Sequence, residues 1–257
     1  MQINSFEKFS ARIKSGTPAL GCCITLGDPA VTEIAAACGL DFCWIDGEHG
    51  ILDRVEMQMH IMALRGTDCA PLVRVPANSH TEIKKVIDLA PAGIIVPMIN
   101  TAEDAEKAVA ACRYPMDGGN RGCGMRRGHL YGTDNICEYY KRSENEPMVI
   151  LQIEHIEAYR NLDEILDVPR IGSIMIGPYD LSATMGIPGC FDDPELNAVY
   201  DDICKKVTEK GIPLGVYTEC NFDRWLARKV NYFGIANDTG AMFNGIKFMM
   251  EKMRASI

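Results

Sequence analysis

The 257-residue chain contains no run of eighteen apolar residues, so it offers no candidate membrane-spanning helix. Its opening residues, Met1 to Arg12, are polar and charged, which does not suit a secretory signal. No C-x-x-C pair occurs among the eleven cysteines, an odd and scattered set in which only Cys22 and Cys23 are adjacent. That spacing argues against a zinc ribbon, a dithiol redox motif or a complete disulfide framework. Reduced thiols in a cytoplasmic protein are expected, with Cys23, Cys43 and Cys204 acting as small core residues. Basic charge is also short: 26 Lys and Arg face 35 Asp and Glu, leaving a net charge of −9. This balance disfavours nucleic acid or an anionic membrane as partner, although a few local arginines can still receive a small anionic substrate.

No linker, charge block or low-complexity tract divides the chain, which predicts one domain over residues 1–257. Short apolar runs rich in β-branched residues alternate with stretches of helical periodicity. Strands are predicted at Leu20–Thr25, Phe42–Asp46, Pro71–Val75, Gly93–Pro97, Met148–Glu154, Gly172–Gly177, Pro213–Tyr217 and Tyr232–Ala236. Helices are predicted near residues 29–38, 53–65, 80–89, 102–112, 133–143, 157–167, 194–210 and 221–229, with a last one over Ala241–Arg254. Eight strands, each followed by a helix, define a closed parallel (β/α)8 TIM barrel rather than an open doubly wound sheet. Asp53 reads as an N-cap, and Thr101-Ala-Glu-Asp104 as a capping box. The long Gly- and Arg-rich stretch Pro115 to Thr133 is of a length more often functional than idle. Within it, Gly122 to Gly128 lacks both the P-loop Lys-Ser/Thr and the G-x-G-x-x-G order, so nucleotide binding is rejected.

Barrel enzymes place their chemistry where strands end. Those positions hold Asp46 and His49 after the second strand, Arg74 in the third, Glu154 closing the fifth, and Asp180 after the sixth. The alternative is a solvated rim with chance charges. Glu154 and Asp180 stand one βα unit apart and can share a mouth. Two hard oxygen ligands suit Mg²⁺ or Mn²⁺ with water and substrate completing the shell. Use of the same pair as general acid and base remains open from spacing alone. No predicted strand ends in lysine, which removes the Schiff-base route to an enamine. Among the histidines, His49 alone combines a strand-end position with two near acids, Asp46 and Glu48, and is the expected base. His60 and His80 read as structural or exposed; His155, directly after Glu154, has two orientations open, into the site or into the helix layer, and His129 lies in the long loop.

The stretches Trp44-Ile-Asp-Gly-Glu-His-Gly50, Leu72-Val-Arg-Val-Pro76, Ile94-Ile-Val-Pro-Met98, Leu151-Gln-Ile-Glu154 and Ile176-Gly-Pro-Tyr-Asp-Leu-Ser182 carry a resemblance. Together with Arg113-Tyr-Pro115, Arg121-Gly122 and Gly186 they resemble the class II pyruvate aldolases of the HpcH/HpaI family. The resemblance implies a divalent metal, Mg²⁺ or Mn²⁺ with Co²⁺ as a substitute, on Glu154 and Asp180. It implies Gln152, Tyr179 and Asp180 touching substrate, Arg74 on the enolate oxygen, His49 as base and Asp88 as the acid that raises its basicity. The implied reaction is reversible cleavage of a 2-oxo-4-hydroxy acid to pyruvate and an aldehyde. A Claisen-type synthase or lyase on the same site is the alternative, and a non-catalytic organic-acid-binding barrel a further one. Also implied is a homo-oligomer, a hexamer built from dimers that exchange their last helix. The Met242, Ile246, Met249, Met253 stripe fits such a helix. Two departures stand out: Asp88-Leu-Ala-Pro-Ala92, where many members have a glycine after the acid, and the ending Gly234-Ile-Ala-Asn-Asp238.

Overall fold

Each of the eight apolar runs forms a strand in the computed structural model, which describes residues 3–257. The strands are β1 (Ala19–Ile24), β2 (Phe42–Asp46), β3 (Ala70–Arg74), β4 (Gly93–Val96), β5 (Met148–Ile153), β6 (Ser173–Ile176), β7 (Leu214–Tyr217) and β8 (Tyr232–Asn237). Every strand pairs in parallel with the next, and β8 pairs with β1 to close the barrel. The helices are α1 (Phe6–Lys14), α2 (Ala30–Ala37), α3 (Arg54–Ala63), α4 (His80–Ile87), α5 (Ala102–Cys112), α6 (Ile136–Ser143), α7 (Ile156–Arg160), α8 (Leu162–Leu166), α9 (Pro178–Thr184), α10 (Pro194–Glu209), α11 (Phe222–Ala227) and α12 (Asp238–Arg254).

Alternation along the strands sorts the side chains into two cores. Trp44, Leu72, Ile95, Ile150, Met175 and Tyr232 pack together inside the ring, whereas Ile45, Val73, Ile94, Val149 and Ile174 face the helices. The expected N-caps form as capping boxes: Asp53 closes with Glu56, and Thr101 with Asp104.

Four features depart from the sequence expectation. Helix α1, within residues read as polar, plugs the strand-start end of the barrel: Phe9 meets Phe42 and Tyr232 edge-on at 5.5 and 5.6 Å. The single helix expected over 157–167 is two, broken at Asn161, and the short α9 follows β6 unannounced. The stretch after α5 contains the 3₁₀ turns Pro115–Asp117 and Arg127–Gly132, and it lies at the end where strands begin, opposite the mouth. The sequence Asp88-Leu-Ala-Pro-Ala92 does not displace β4, which starts at Gly93 as expected. Instead Ala90 itself takes a left-handed φ of +57°, a conformation that costs an L-residue about 1–2 kcal/mol.

Helix α12 contacts the barrel at β1 and β8, yet beyond Asp238 none of its residues is buried. Its exposed apolar residues extend past the expected stripe to Phe243, Phe248 and Met250. No helix is long and apolar enough to cross a membrane among the described residues. All eleven cysteines are free, including Cys43 and Cys69 with sulfurs 3.6 Å apart. Cys23, Cys43 and Cys204 are buried as expected.

Candidate active site at the strand ends

Asp46, Arg74, Gln152 and Glu154 share the alternation of the interior residues Trp44, Leu72 and Ile150, so each points into the barrel mouth. All four are buried.

Asp46 lies opposite Arg74 in the β2–β3 register. The Arg74 Nε donates to Asp46 Oδ1 at 2.8 Å and Nη2 to Oδ2 at 2.6 Å, a bidentate fork. Asp46 Oδ1 also accepts the backbone N–H groups of Glu48 at 3.0 Å and His49 at 3.4 Å, bending the chain out of β2. Burial opposes ionisation of Asp46, but Arg74 outweighs it and holds the carboxyl below its ordinary value. The carboxylate is fully occupied, which makes Asp46 a positioning group. Glu48 forms an ion pair with Arg74 Nη1 at 2.8 Å, and the guanidinium lies 4.7 Å above the Trp44 ring. Burial disfavours the charge on Arg74, yet Asp46 and Glu48 keep it firmly protonated.

Glu154 follows β5 and accepts the Met98 N–H at 2.7 Å on Oε1, while Gln152 Nε2 donates to its Oε2. Gly177 makes room for this carboxylate, since a Cβ there would lie 2.8 Å from Oε2. Desolvation pushes Glu154 up to about 7; the Met98 N–H opposes this, and the nearby charges of Glu48 and Asp180 reinforce it. Gln152 Oε1 is buried without a hydrogen-bond partner. A buried carboxylate facing two others, beside an orphaned amide oxygen, is a donor set that fits a hard divalent cation. No group of three or more His, Cys, Asp or Glu among the described residues closes around an ion, so the chain would supply Glu154 and Asp180 and leave the remaining positions to water and substrate.

Asp180 and Tyr179 are exposed in the first turn of α9, on the mouth side of β6. His49 is exposed on the loop after β2. Asp88 is not part of this group. It caps the C-terminus of α4, two residues before Ala90, and Ala92 N–H bonds the carbonyl of Pro71 where β3 begins. That puts Asp88 a strand length from the mouth, roughly 15 Å, against the long loop at Gly124.

The other histidines have structural places. His60 is buried with Nδ1 2.6 Å from Thr32 Oγ1, and His155 caps α7 by accepting the Glu157 N–H at 3.0 Å. His129 is buried beside Tyr139, and His80 is exposed at the start of α4. Sequence reasoning passed over Glu48 except as a neighbour of His49. The signal was its place beside a strand-end acid, and only the fold shows that it reaches Arg74.

A parallel barrel with a charged, largely buried constellation at its strand ends defines a barrel enzyme. Residues 20–235 match the HpcH/HpaI aldolase/citrate lyase family. The chain is 31% identical over 236 residues to a 5-keto-4-deoxy-D-glucarate aldolase of Shigella dysenteriae serotype 1, covering 91% of each chain. It is 33% identical over 216 residues to a hydroxypyruvate/pyruvate aldolase of Roseobacter denitrificans, covering 84% of this chain and 83% of the relative. The citrate synthase SbnG superposes with a TM-score of 0.86 at 27% identity, covering 99% of both chains. The chain belongs to the HpcH/HpaI aldolase/citrate lyase family and is a carbon–carbon lyase.

Proposed function

We propose that this enzyme is a metal-dependent aldolase that reversibly cleaves a 2-oxo-4-hydroxy acid to pyruvate and an aldehyde. The observation that carries the reading is the buried Glu154 carboxylate, held by the Met98 N–H and Gln152 Nε2 beside the unpartnered Gln152 Oε1, in the same mouth as a locked Arg74. Mg²⁺ or Mn²⁺ on Glu154 and Asp180, or Co²⁺ in their place, would polarise the 2-oxo group as a Lewis acid. Gln152, with its free Oε1, and the Tyr179–Asp180 turn line the place where the 2-oxo acid binds. Arg74 stabilises the enolate oxygen that develops as the C3–C4 bond breaks, its fork held in advance by Asp46. His49 removes the proton from the 4-hydroxyl, and the aldehyde departs. Among the described residues no strand ends in lysine, which leaves no strand-end amine for a Schiff base.

Asp88 acts on His49 in this reading only if it comes from a second copy of the chain, because its own His49 lies at the other end of the barrel. The uncovered apolar surface of α12 supports an oligomer that exchanges this helix, as in a hexamer built as a trimer of dimers. The free thiols and the acidic surface fit a cytoplasmic enzyme without nucleic-acid or membrane partners.

A synthase using the same enolate is the second reading, supported by the likeness to the citrate synthase SbnG. The deciding experiment offers 2-oxo-4-hydroxy acids with pyruvate detection, before and after chelation and with Mg²⁺, Mn²⁺ or Co²⁺ restored. Metal-restored pyruvate release supports the aldolase. Full activity in a verified metal-free sample refutes the metal, and condensation without cleavage moves the assignment to the synthase.

A further inference from the structure

The β7 and β8 ends of the mouth carry a second polar group that the mechanism above does not use. Tyr217 ends β7 on the interior face, and its ring meets Trp44 edge-on at 6.0 Å, the same indole that lies under Arg74. Gly234 makes room for that ring: a Cβ there would sit 2.9 Å from Tyr217 Cδ2. The Tyr217 hydroxyl donates to Glu219 Oε1 and accepts from Asn237 Nδ2 at 3.0 Å. Asn237 Nδ2 also donates to Glu219 Oε1 at 2.9 Å. The orientation of this amide is set by its own Oδ1, which caps α12 by accepting from Gly240 N–H at 2.6 Å and Thr239 Oγ1 at 2.7 Å. Glu219 is exposed, so the triad presents a carboxylate, a phenol and an amide toward solvent, with the Tyr217 ring 6.5 Å from that of Tyr179.

The charge on the mouth loops is one-sided, and the two arginines that share a pocket with Tyr217 and Glu219, Arg224 and Arg228, are already paired with Asp192 and Asp201. The βα loops at residues 25–29, 47–53, 75–79, 97–101, 154–155, 177 and 218–221 contain no lysine and no arginine. They hold Asp28, Glu48, Asp53, Glu154 and Glu219. Arg74 is the cation at the strand ends, and it is committed to Asp46 and Glu48. A carboxylate on the aldehyde fragment would meet Glu219 and find Arg224 and Arg228 already paired with Asp192 and Asp201, and like charges brought together select against a ligand. A hydroxyl would instead find an acceptor in Glu219 and a donor in Asn237.

We infer that Tyr217, Glu219 and Asn237 form the aldehyde-side subsite and that it takes an uncharged, hydroxylated aldehyde in preference to one bearing a carboxylate. This rests on the aldolase reading and gives it a substrate class. In the condensation direction the enolate carbon attacks the aldehyde carbonyl, the new C–C bond forms, and the carbonyl oxygen takes one proton as the new hydroxyl.

The test uses the metal-loaded protein with pyruvate and four acceptors: glycolaldehyde, D-glyceraldehyde, propanal and succinate semialdehyde. Condensation is followed as kcat/KM for each. Glycolaldehyde and glyceraldehyde are expected to exceed both propanal and succinate semialdehyde by on the order of tenfold or more. Glu219→Gln should lower the hydroxylated acceptors and raise succinate semialdehyde, shifting their ratio by on the order of tenfold. Tyr217→Phe should narrow the gap between glycolaldehyde and propanal. Succinate semialdehyde or propanal used as well as glycolaldehyde by the unmodified protein overturns the inference. So does a Glu219→Gln variant that changes all acceptors alike. Oxaloacetate decarboxylation, which needs no aldehyde, separates the two levels. If it is absent along with every condensation, the aldolase reading itself has failed and the subsite falls with it.

Discussion

Asp46 and Arg74 stand opposite each other in the β2–β3 register and are joined by two hydrogen bonds, at 2.8 and 2.6 Å, beneath the mouth of the barrel. The pair fixes the plane of the guanidinium, and its aspartate also turns the backbone that presents Glu48 and His49. One carboxylate thereby organises both the group proposed to stabilise negative charge and the group proposed to move the proton.

Removing one member of a buried ion pair strands the other. Asp46→Ala should destabilise the fold by about 3–5 kcal/mol, read as a lower midpoint in urea denaturation with an unchanged slope. A loss below about 1 kcal/mol, the range of an exposed pair, would mean that Arg74 is solvated in place.

The roles of His49 and Arg74 separate in a simpler reaction. Oxaloacetate decarboxylation yields the same enolate but removes no hydroxyl proton. His49→Ala should lose aldol cleavage by on the order of 10²–10⁴-fold and keep most of its decarboxylase activity. Arg74→Ala should damage both by on the order of 10²–10³-fold, with Arg74→Lys a partial rescue because a point charge lacks the fixed fork. Equal loss of both reactions in His49→Ala would end its assignment as the base.

Glu154 makes the metal-free protein sensitive to pH. Burial raises its pKa from 4.5 to about 7 in the fold. Between those values the folded chain holds a proton that the unfolded chain has released, so this group's stabilisation is complete below the lower value and is lost as pH rises through the higher one. The difference amounts to on the order of 3 kcal/mol. In chelator, the melting temperature should therefore contain a component that falls from pH 5 to pH 8, and Glu154→Gln should remove it. A divalent ion needs the deprotonated carboxylate, so its stabilising effect should grow across the same interval. An unchanged pH slope in Glu154→Gln would show that the carboxyl is solvated.

The distance between Asp88 and His49 makes the proposed assembly testable. His49→Ala and Asp88→Asn chains, each expected to be impaired alone, should regain activity when co-refolded, because mixed interfaces can join an intact His49 to an intact Asp88. No recovery in oligomers shown to be mixed would remove Asp88 from the mechanism. Light scattering supplies the other check, since a fully active 28.4 kDa monomer would refute the need for a second copy.

The barrel was legible in the sequence because a parallel strand buried on both faces must be a short, continuous apolar run, and eight such runs alternate with helical periodicity. The strand-end residues were legible for the same reason, since topology alone assigns Asp46, Arg74, Glu154 and Asp180 to one rim. Helix α1 was not, because only Phe9 and Ile13 of its nine residues are buried and the rest read as surface. Nor could spacing show that Asp46 is spent on Arg74, that Glu48 reaches the same guanidinium, or that Tyr217, Glu219 and Asn237 meet across β7 and β8. Those contacts join residues whose distance depends on strand register and barrel closure. Periodicity decides which face a side chain takes; the closed ring alone decides which side chains it meets there.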